Sequence, residues 1–154
     1  MLILFLLSLS GHSESRLEFL QFYHWKTKPQ VVLCDDAKVS KLNLEKAMKY
    51  WKSHTIDMHD TLIIKKCKKS HRKGEIRFTN QRDLDTSIYY GFTSRDTDFY
   101  TDEIKAATVM IEDNESSNIV LITHELGHAL GLNHSGKDQS HIMHKHFDMS
   151  MSQF

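Results

Sequence analysis

The stretch HELGHALGLNH, from His124 to His134, combines three histidines and one glutamate at spacings that suit metal chemistry. His124 and His128 lie four residues apart, so a helix places both imidazoles on one face, where they can reach the same ion. Glu125 is displaced around that helix, and its carboxylate would stand beside the ion rather than on it. A general base that takes a proton from a metal-bound water belongs at such a position.

A third ligand is needed, because a catalytic Zn²⁺ usually has three protein ligands and one open position. Gly131 is expected to end the helix in a left-handed conformation, and His134 can then turn back toward the ion. The sequence therefore predicts a zinc site made by His124, His128 and His134. A structural zinc is the alternative, but such a site is more often closed by four ligands and has no use for Glu125.

The elements that must position these residues follow from the spacing of the apolar residues. An amphipathic helix with its lysines outside is predicted where apolar residues recur at helical spacing, at Leu44, Ala47, Met48 and Trp51. Ser40 or Asn43 would cap its start. Apolar or β-branched runs predict four strands, at residues 30–34, 61–69, 74–78 and 104–111.

The remaining segments complete the predicted order of elements. Residues 79–101 are polar and aromatic and are predicted to be loop with one short strand. Ser116 or Ser117 is expected to cap the helix that carries His124, and this helix should run to about Leu130. The order predicts an α/β (α+β) domain, in which a mixed sheet lies under two long helices.

Length and composition agree with one globular domain. The chain has 154 residues, of which 40% are hydrophobic and 26% charged, so it can bury a normal core. The formal net charge is zero, which gives no general attraction to nucleic acid or to an anionic membrane. Neither partner is expected, and the chain is predicted to be a monomer.

The N-terminal run MLILFLLSLS has the length of a signal-peptide core and is too short to span a membrane. It predicts a secretory signal over residues 1–15, an extracellular location, and a catalytic domain over residues 16–154. The usual positive segment before the apolar core is missing. An artefact of the start site and a buried N-terminal strand are therefore the alternatives.

The two cysteines, Cys34 and Cys67, leave two interpretations open. In an exported chain they could form one disulfide, and otherwise they would be two buried thiols. They do not make a zinc site by themselves, because they are far apart and no further cysteine accompanies them.

Beyond the residue chemistry, HELGHALGLNH resembles HExxHxxGxxH, the extended zinc signature of the metzincin metallopeptidases. Ser135, directly after the third histidine, is similar to the matrixin (matrix-metalloproteinase-like) branch. Met143 lies nine residues after His134, at a distance that resembles the family's methionine turn. Lys145 stands where astacins carry a tyrosine ligand, so a ligand of that kind is not expected.

The resemblance covers roughly residues 22–143 and implies a zincin-like fold, with an active-site helix followed by the methionine turn. The segment LEKAMKYWKS is similar to the first helix of that fold. IKAATVMIEDN is similar to the edge strand along which such enzymes lay an extended substrate, so substrate is expected to pair near Lys105 to Ile111.

The function implied by the resemblance is a zinc endopeptidase that acts on proteins or peptides. His124, His128 and His134 would hold one catalytic Zn²⁺, and Glu125 would pass a proton from the metal-bound water to the leaving amine. An inactive, zinc-stabilised peptide-binding module and a metallohydrolase acting on other amides are the alternatives. The three later histidines are interpreted as turn or surface residues rather than ligands: His141, His144 and His146.

Three features of the family are not recognised in the sequence. Motifs for its structural zinc and calcium ions are missing between the strands, so Ca²⁺ is left open without support. No propeptide with a regulatory cysteine is recognised, and latency of that kind is not expected. The C-terminal helix is expected to be missing or reduced to the segment HFDMSMSQF.

Overall fold

The structure is a computed structural model that describes residues 23–68, 70, 72–80, 90–136 and 140–146. The expected signal segment and the C-terminal segment after His146 lie outside these residues. The strands of the described part are β1 (His24–Trp25), β2 (Gln30–Cys34), β3 (Ile63–Lys65), β4 (Glu75–Phe78), β5 (Gly91–Thr97) and β6 (Glu103–Ile111). The helices are α1 (Lys41–Ser53), α2 (Ile119–Ala129) and a short 3-10 helix (Asp113–Glu115). None of the described helices is long and apolar enough to cross a membrane.

The strands form one mixed sheet with the order β1-β6-β4-β2-β3, and β5 pairs with β6. All pairs are parallel except β5 with β6, which is antiparallel. The mixed sheet with two long helices confirms the predicted α/β (α+β) class. One expectation is wrong: β6 is not an edge strand, because it pairs with both β4 and β5. The edge strand over the cleft is β5, whose polar sequence GFTSRDT had predicted no more than a short strand.

The two helices pack against each other over the apolar face of α1. The predicted stripe of α1 is at most 3% exposed, at Leu44, Ala47, Met48 and Trp51. The indole N–H of Trp51 donates a hydrogen bond to the carbonyl oxygen of Thr123 at 2.8 Å. This bond satisfies the polar atom of a fully buried ring and sets the position of α2 relative to α1.

The helix starts agree with the sequence in one case and differ in the other. Ser40 caps α1, and its hydroxyl accepts from the Asn43 backbone N–H. Helix α2 is capped by Asn118 and not by Ser116 or Ser117, since the Asn118 side chain accepts from two backbone N–H groups of the first turn. The hydroxyl of Ser116 donates instead to the carbonyl oxygen of Asp113, within the preceding 3-10 turn.

The cysteines form a disulfide. Cys34 ends β2, and Cys67 follows β3, the strand that lies parallel to β2, so the Cα atoms are 5.3 Å apart. Of the two interpretations that the sequence left open, the disulfide is confirmed. It closes a loop with a sequence separation of 33 residues that contains α1.

Reduction of this disulfide is expected to lower the free energy of unfolding by about 3–4 kcal/mol, because the unfolded chain regains the entropy that the closed loop removes. Urea unfolding of the wild type with and without reductant measures this difference and avoids placing serine at the buried Cys34 site. Titration of the unfolded, unreduced protein should find no thiol. Two titratable thiols, or equal unfolding midpoints, would contradict the prediction.

Candidate active site

The three predicted ligands come together at the C-terminal half of α2. The Nε2 atom of His128 lies 3.0 Å from that of His124 and 3.1 Å from that of His134. In the part of the chain that the structure describes, these three residues form the group of side chains that could hold a metal ion. The three histidines thus lie together as their spacing indicates, and their binding of a metal ion stays a prediction.

Gly131 makes the turn that brings the third histidine back. Its φ is +103°, and its N–H donates to the carbonyl oxygen of His128 at 3.0 Å. A Cβ at this position would lie 2.2 Å from the carbonyl oxygen of Tyr23. A left-handed conformation and close contact with a neighbouring backbone both require glycine here.

The tautomers of two of these histidines follow from their hydrogen bonds. The Nδ1 atom of His124 lies 2.7 Å from the carbonyl oxygen of Ile142, and that of His128 lies 2.8 Å from the carbonyl oxygen of Leu132. A carbonyl oxygen only accepts, so each Nδ1 carries the proton and each Nε2 presents a lone pair. The short contact between these two Nε2 atoms is therefore no hydrogen bond. It brings two lone pairs together, as a shared cation requires.

Burial keeps these imidazoles neutral. It lowers the pKa of His124 to about 3, and the nearby His128 adds to the shift. It also lowers the pKa of His128 to about 4 and that of His134 below its usual value. Neutral imidazole is the form that binds metals. Three nitrogens bound to one tetrahedral Zn²⁺ lie about 3.3 Å apart, close to the distances found here.

Glu125 occupies a buried position between α2 and β5. Its side chain is close to Gly91, where a Cβ would lie 2.8 Å from the Glu125 Cγ. The Thr93 hydroxyl lies 2.6 Å from Oε2 of Glu125 and 3.0 Å from its carbonyl oxygen. Burial raises the pKa of Glu125 to about 7, and the hydrogen bond from Thr93 opposes this rise. The carboxyl group can therefore gain and lose a proton near neutral pH.

The turn after the third histidine supports the helix from below. Met143 is fully buried, and its Sδ would lie 2.6 Å from a Cβ at Gly127. The Ser135 N–H donates to the carbonyl oxygen of Met143 at 2.7 Å. His141 is also buried in this turn, and its Nδ1 accepts from the Met143 N–H. His141, His144 and His146 do not belong to the three-histidine group of the described residues, and their interpretation as turn or surface residues stays a prediction.

A family model described as Matrixin matches residues 21–154 of the chain. This chain belongs to the matrixin family. Matrixins are zinc metallopeptidases, which agrees with a site of three histidines. A search of curated proteins found no match.

In this matrixin domain the sequence reasoning missed two residues of β5. Gly91 and Thr93 touch Glu125, and both line a cleft of about 980 Å³ that also contains the three histidines. Alternate residues of a strand share one face, so GFTSR would have placed Gly91, Thr93 and Arg95 together. The signal was lost because this segment was predicted to be mainly loop.

Arg95 connects β5 to the loop that carries the third ligand. Its guanidinium donates to the carbonyl oxygens of His128 and Leu132, at 3.1 and 3.5 Å, and to the side-chain oxygen of Asn133 at 3.4 Å. It also stacks on the Tyr23 ring, at 4.4 Å from the ring centre. The strand that covers Glu125 and the loop that carries His134 are thereby held together.

Gly131→Ala is expected to destabilise the domain and to weaken Zn²⁺ binding, because the new Cβ would displace Tyr23 and move the loop to His134. Gly74→Ala is the matched control, since Gly74 has φ +82° but nothing within 4 Å of an added Cβ. The control should cost about 1–2 kcal/mol from backbone strain alone. Urea unfolding and titration with Zn²⁺ measure both effects. Equal losses in the two variants, with unchanged Zn²⁺ affinity, would show that the contact with Tyr23 is unimportant.

Proposed function

We propose that this matrixin domain is a zinc-dependent endopeptidase in which His124, His128 and His134 hold one Zn²⁺ and Glu125 is the general base. The main support is the position of Glu125, whose buried carboxylate faces the cleft beside three imidazoles with inward lone pairs. A site that only stabilised the fold would have no need for this acid in the cleft. We also propose that the turn at Met143 is the family's methionine turn.

When bound, the ion would supply a Lewis acid that polarises the scissile carbonyl and promotes ionisation of water. The proton transfers fall to Glu125. It takes a proton from the water whose oxygen attacks the carbonyl carbon, and it gives that proton to the amine nitrogen as the C–N bond breaks. Its pKa of about 7 suits both directions of transfer. The Thr93 hydroxyl holds the carboxylate in place while the proton moves.

The substrate would lie along β5 rather than along β6. β5 is paired with β6 on one side, and no described strand pairs with its other side. The three consecutive residues Gly91, Phe92 and Thr93 of β5 line the cleft. An extended peptide added to this edge would therefore pass over the histidines. Backbone pairing of this kind tolerates many sequences, which fits an endopeptidase.

We further propose that the domain works outside the reducing cytosol, which agrees with the secretory signal expected from the sequence. The Cys34–Cys67 disulfide supports this location, because disulfides persist in oxidising compartments.

Glu125→Gln is expected to lower kcat on an unfolded protein substrate by about 10²–10⁴-fold, because the variant cannot accept the proton from water. It should still bind one Zn²⁺, since the three histidines are intact. Glu45→Gln, the same substitution at an exposed site of α1, is the control and should cut like the wild type.

The outcomes of this comparison separate the alternatives. Normal cutting by Glu125→Gln would remove Glu125 from the role of base. A wild type that binds one Zn²⁺ tightly but cuts nothing would favour the peptide-binding module.

Thr93→Val is expected to lower kcat by about tenfold, the equivalent of roughly 1.5 kcal/mol for a hydrogen bond to a charged group. KM and Zn²⁺ affinity should stay unchanged, because Thr93 contacts the base and not the ligands. Thr93→Ser keeps the hydroxyl and should restore most of the rate. If valine and serine at this position give the same kcat, the hydroxyl does not position Glu125.

A further inference from the structure

The cleft carries an excess of fixed positive charge. Among its described lining residues, Arg95 and Lys145 are cations and Glu125 is the one carboxylate. His146, next to Lys145 in the chain, also lines the cleft. Because Glu125 lies beside the proposed zinc ligands, its charge would be more than offset by a bound Zn²⁺. The walls of the cleft therefore present cations without a matching acid.

Arg95 is a cation whose described hydrogen-bond acceptors are all neutral. They are two backbone carbonyl oxygens and one amide oxygen, and no ion pair joins Arg95 to a described carboxylate. Its charge therefore remains in the field of the cleft. These same bonds hold the loop to His134, so Arg95 supports the site as well as contributing charge.

Lys145 is the second cation of the lining and lies in the turn two residues after Met143. Its side chain is exposed, and among the described residues it forms no ion pair. Lys145 and His134 both line the cleft, and the charge of Lys145 adds to the lowering of the His134 pKa, after the effect of burial. The side chain of an exposed lysine is flexible, so its ammonium group can reach several positions along a bound peptide.

We propose that the cleft selects peptides with an acidic side chain close to the scissile bond, and that Lys145 is the residue that recognises this side chain. The proposal rests on the proposed peptidase function and adds a substrate class to it. A carboxylate on the substrate would meet Lys145 and would also lie in the field of Arg95. Charge complementarity of this kind favours the acidic partner and disfavours a basic one.

The test measures peptide binding and cleavage separately. Three peptides are made that differ only in carrying Glu, Gln or Lys at one position, and this position is moved in turn to each site flanking the bond that is cut. Affinity is measured with the Zn²⁺-loaded Glu125→Gln variant, in which cleavage is expected to be about 10²–10⁴-fold slower. The ratio kcat/KM is measured with the Zn²⁺-loaded wild type.

Lys145 is then replaced in both backgrounds. Lys145→Glu reverses the charge, and Lys145→Gln removes it. Lys49→Glu is the matched control, because Lys49 is exposed on α1, is not part of the cleft, and changes the net charge equally. Urea unfolding and Zn²⁺ titration confirm that each variant is folded and loaded.

The expected result is an about two- to fivefold preference for Glu over Gln at one position, the strength of an exposed ion pair, and a weaker interaction with Lys. Lys145→Glu should reverse this order, Lys145→Gln should reduce it, and Lys49→Glu should preserve it. Equal affinity for the three peptides, or an unchanged order in Lys145→Glu, would overturn the proposal. Binding that prefers Glu, without cleavage by the wild type, would support the acidic preference and refute the peptidase function.

Discussion

Two hydrogen bonds from imidazole to backbone determine how this site is built. His124 and His128 each use Nδ1 to bind a carbonyl oxygen, from Ile142 and Leu132 respectively. Both carbonyls belong to the chain after α2, so the path of that segment sets the orientation of the rings. The helix supplies the spacing of the ligands, and the following segment supplies their direction. Contacts that hold this segment against α2 therefore also keep the Nε2 lone pairs of both histidines directed at one point.

The packing beneath α2 serves the same end. Gly127 lies between the first two ligands in sequence, and the Trp51 ring and the Met143 sulfur would each be 2.6 Å from a Cβ there. Glycine weakens a helix by about 1 kcal/mol relative to alanine, so its presence here needs a reason. The reason is that Trp51 of α1 and Met143 of the turn after α2 both approach the backbone of α2 closely at Gly127. The hydrogen bond from Trp51 to Thr123 maintains this approach from the α1 side.

The sequence predicted the parts of the site that depend on local spacing. Two histidines four positions apart define a helix face, and Gly131 before His134 defines a turn, whatever the rest of the chain does. Thr93 could not be found in this way, because its contact with Glu125 depends on β5 pairing with β6 and lying over α2. The cap of α2 was misplaced for a similar reason. The preceding 3-10 turn uses the Ser116 hydroxyl, and this leaves Asn118 as the residue at the helix start.

The Cys34–Cys67 disulfide has a consequence for proteolysis of this chain. Cleavage of any one peptide bond between the two cysteines would leave the two fragments joined by the disulfide. The loop that is closed by this disulfide contains α1. A single cut in this region would then be invisible on a gel run without reductant and would show two fragments after reduction. The disulfide would therefore keep the protein in one covalent piece after its backbone is cut in the segment that carries Trp51.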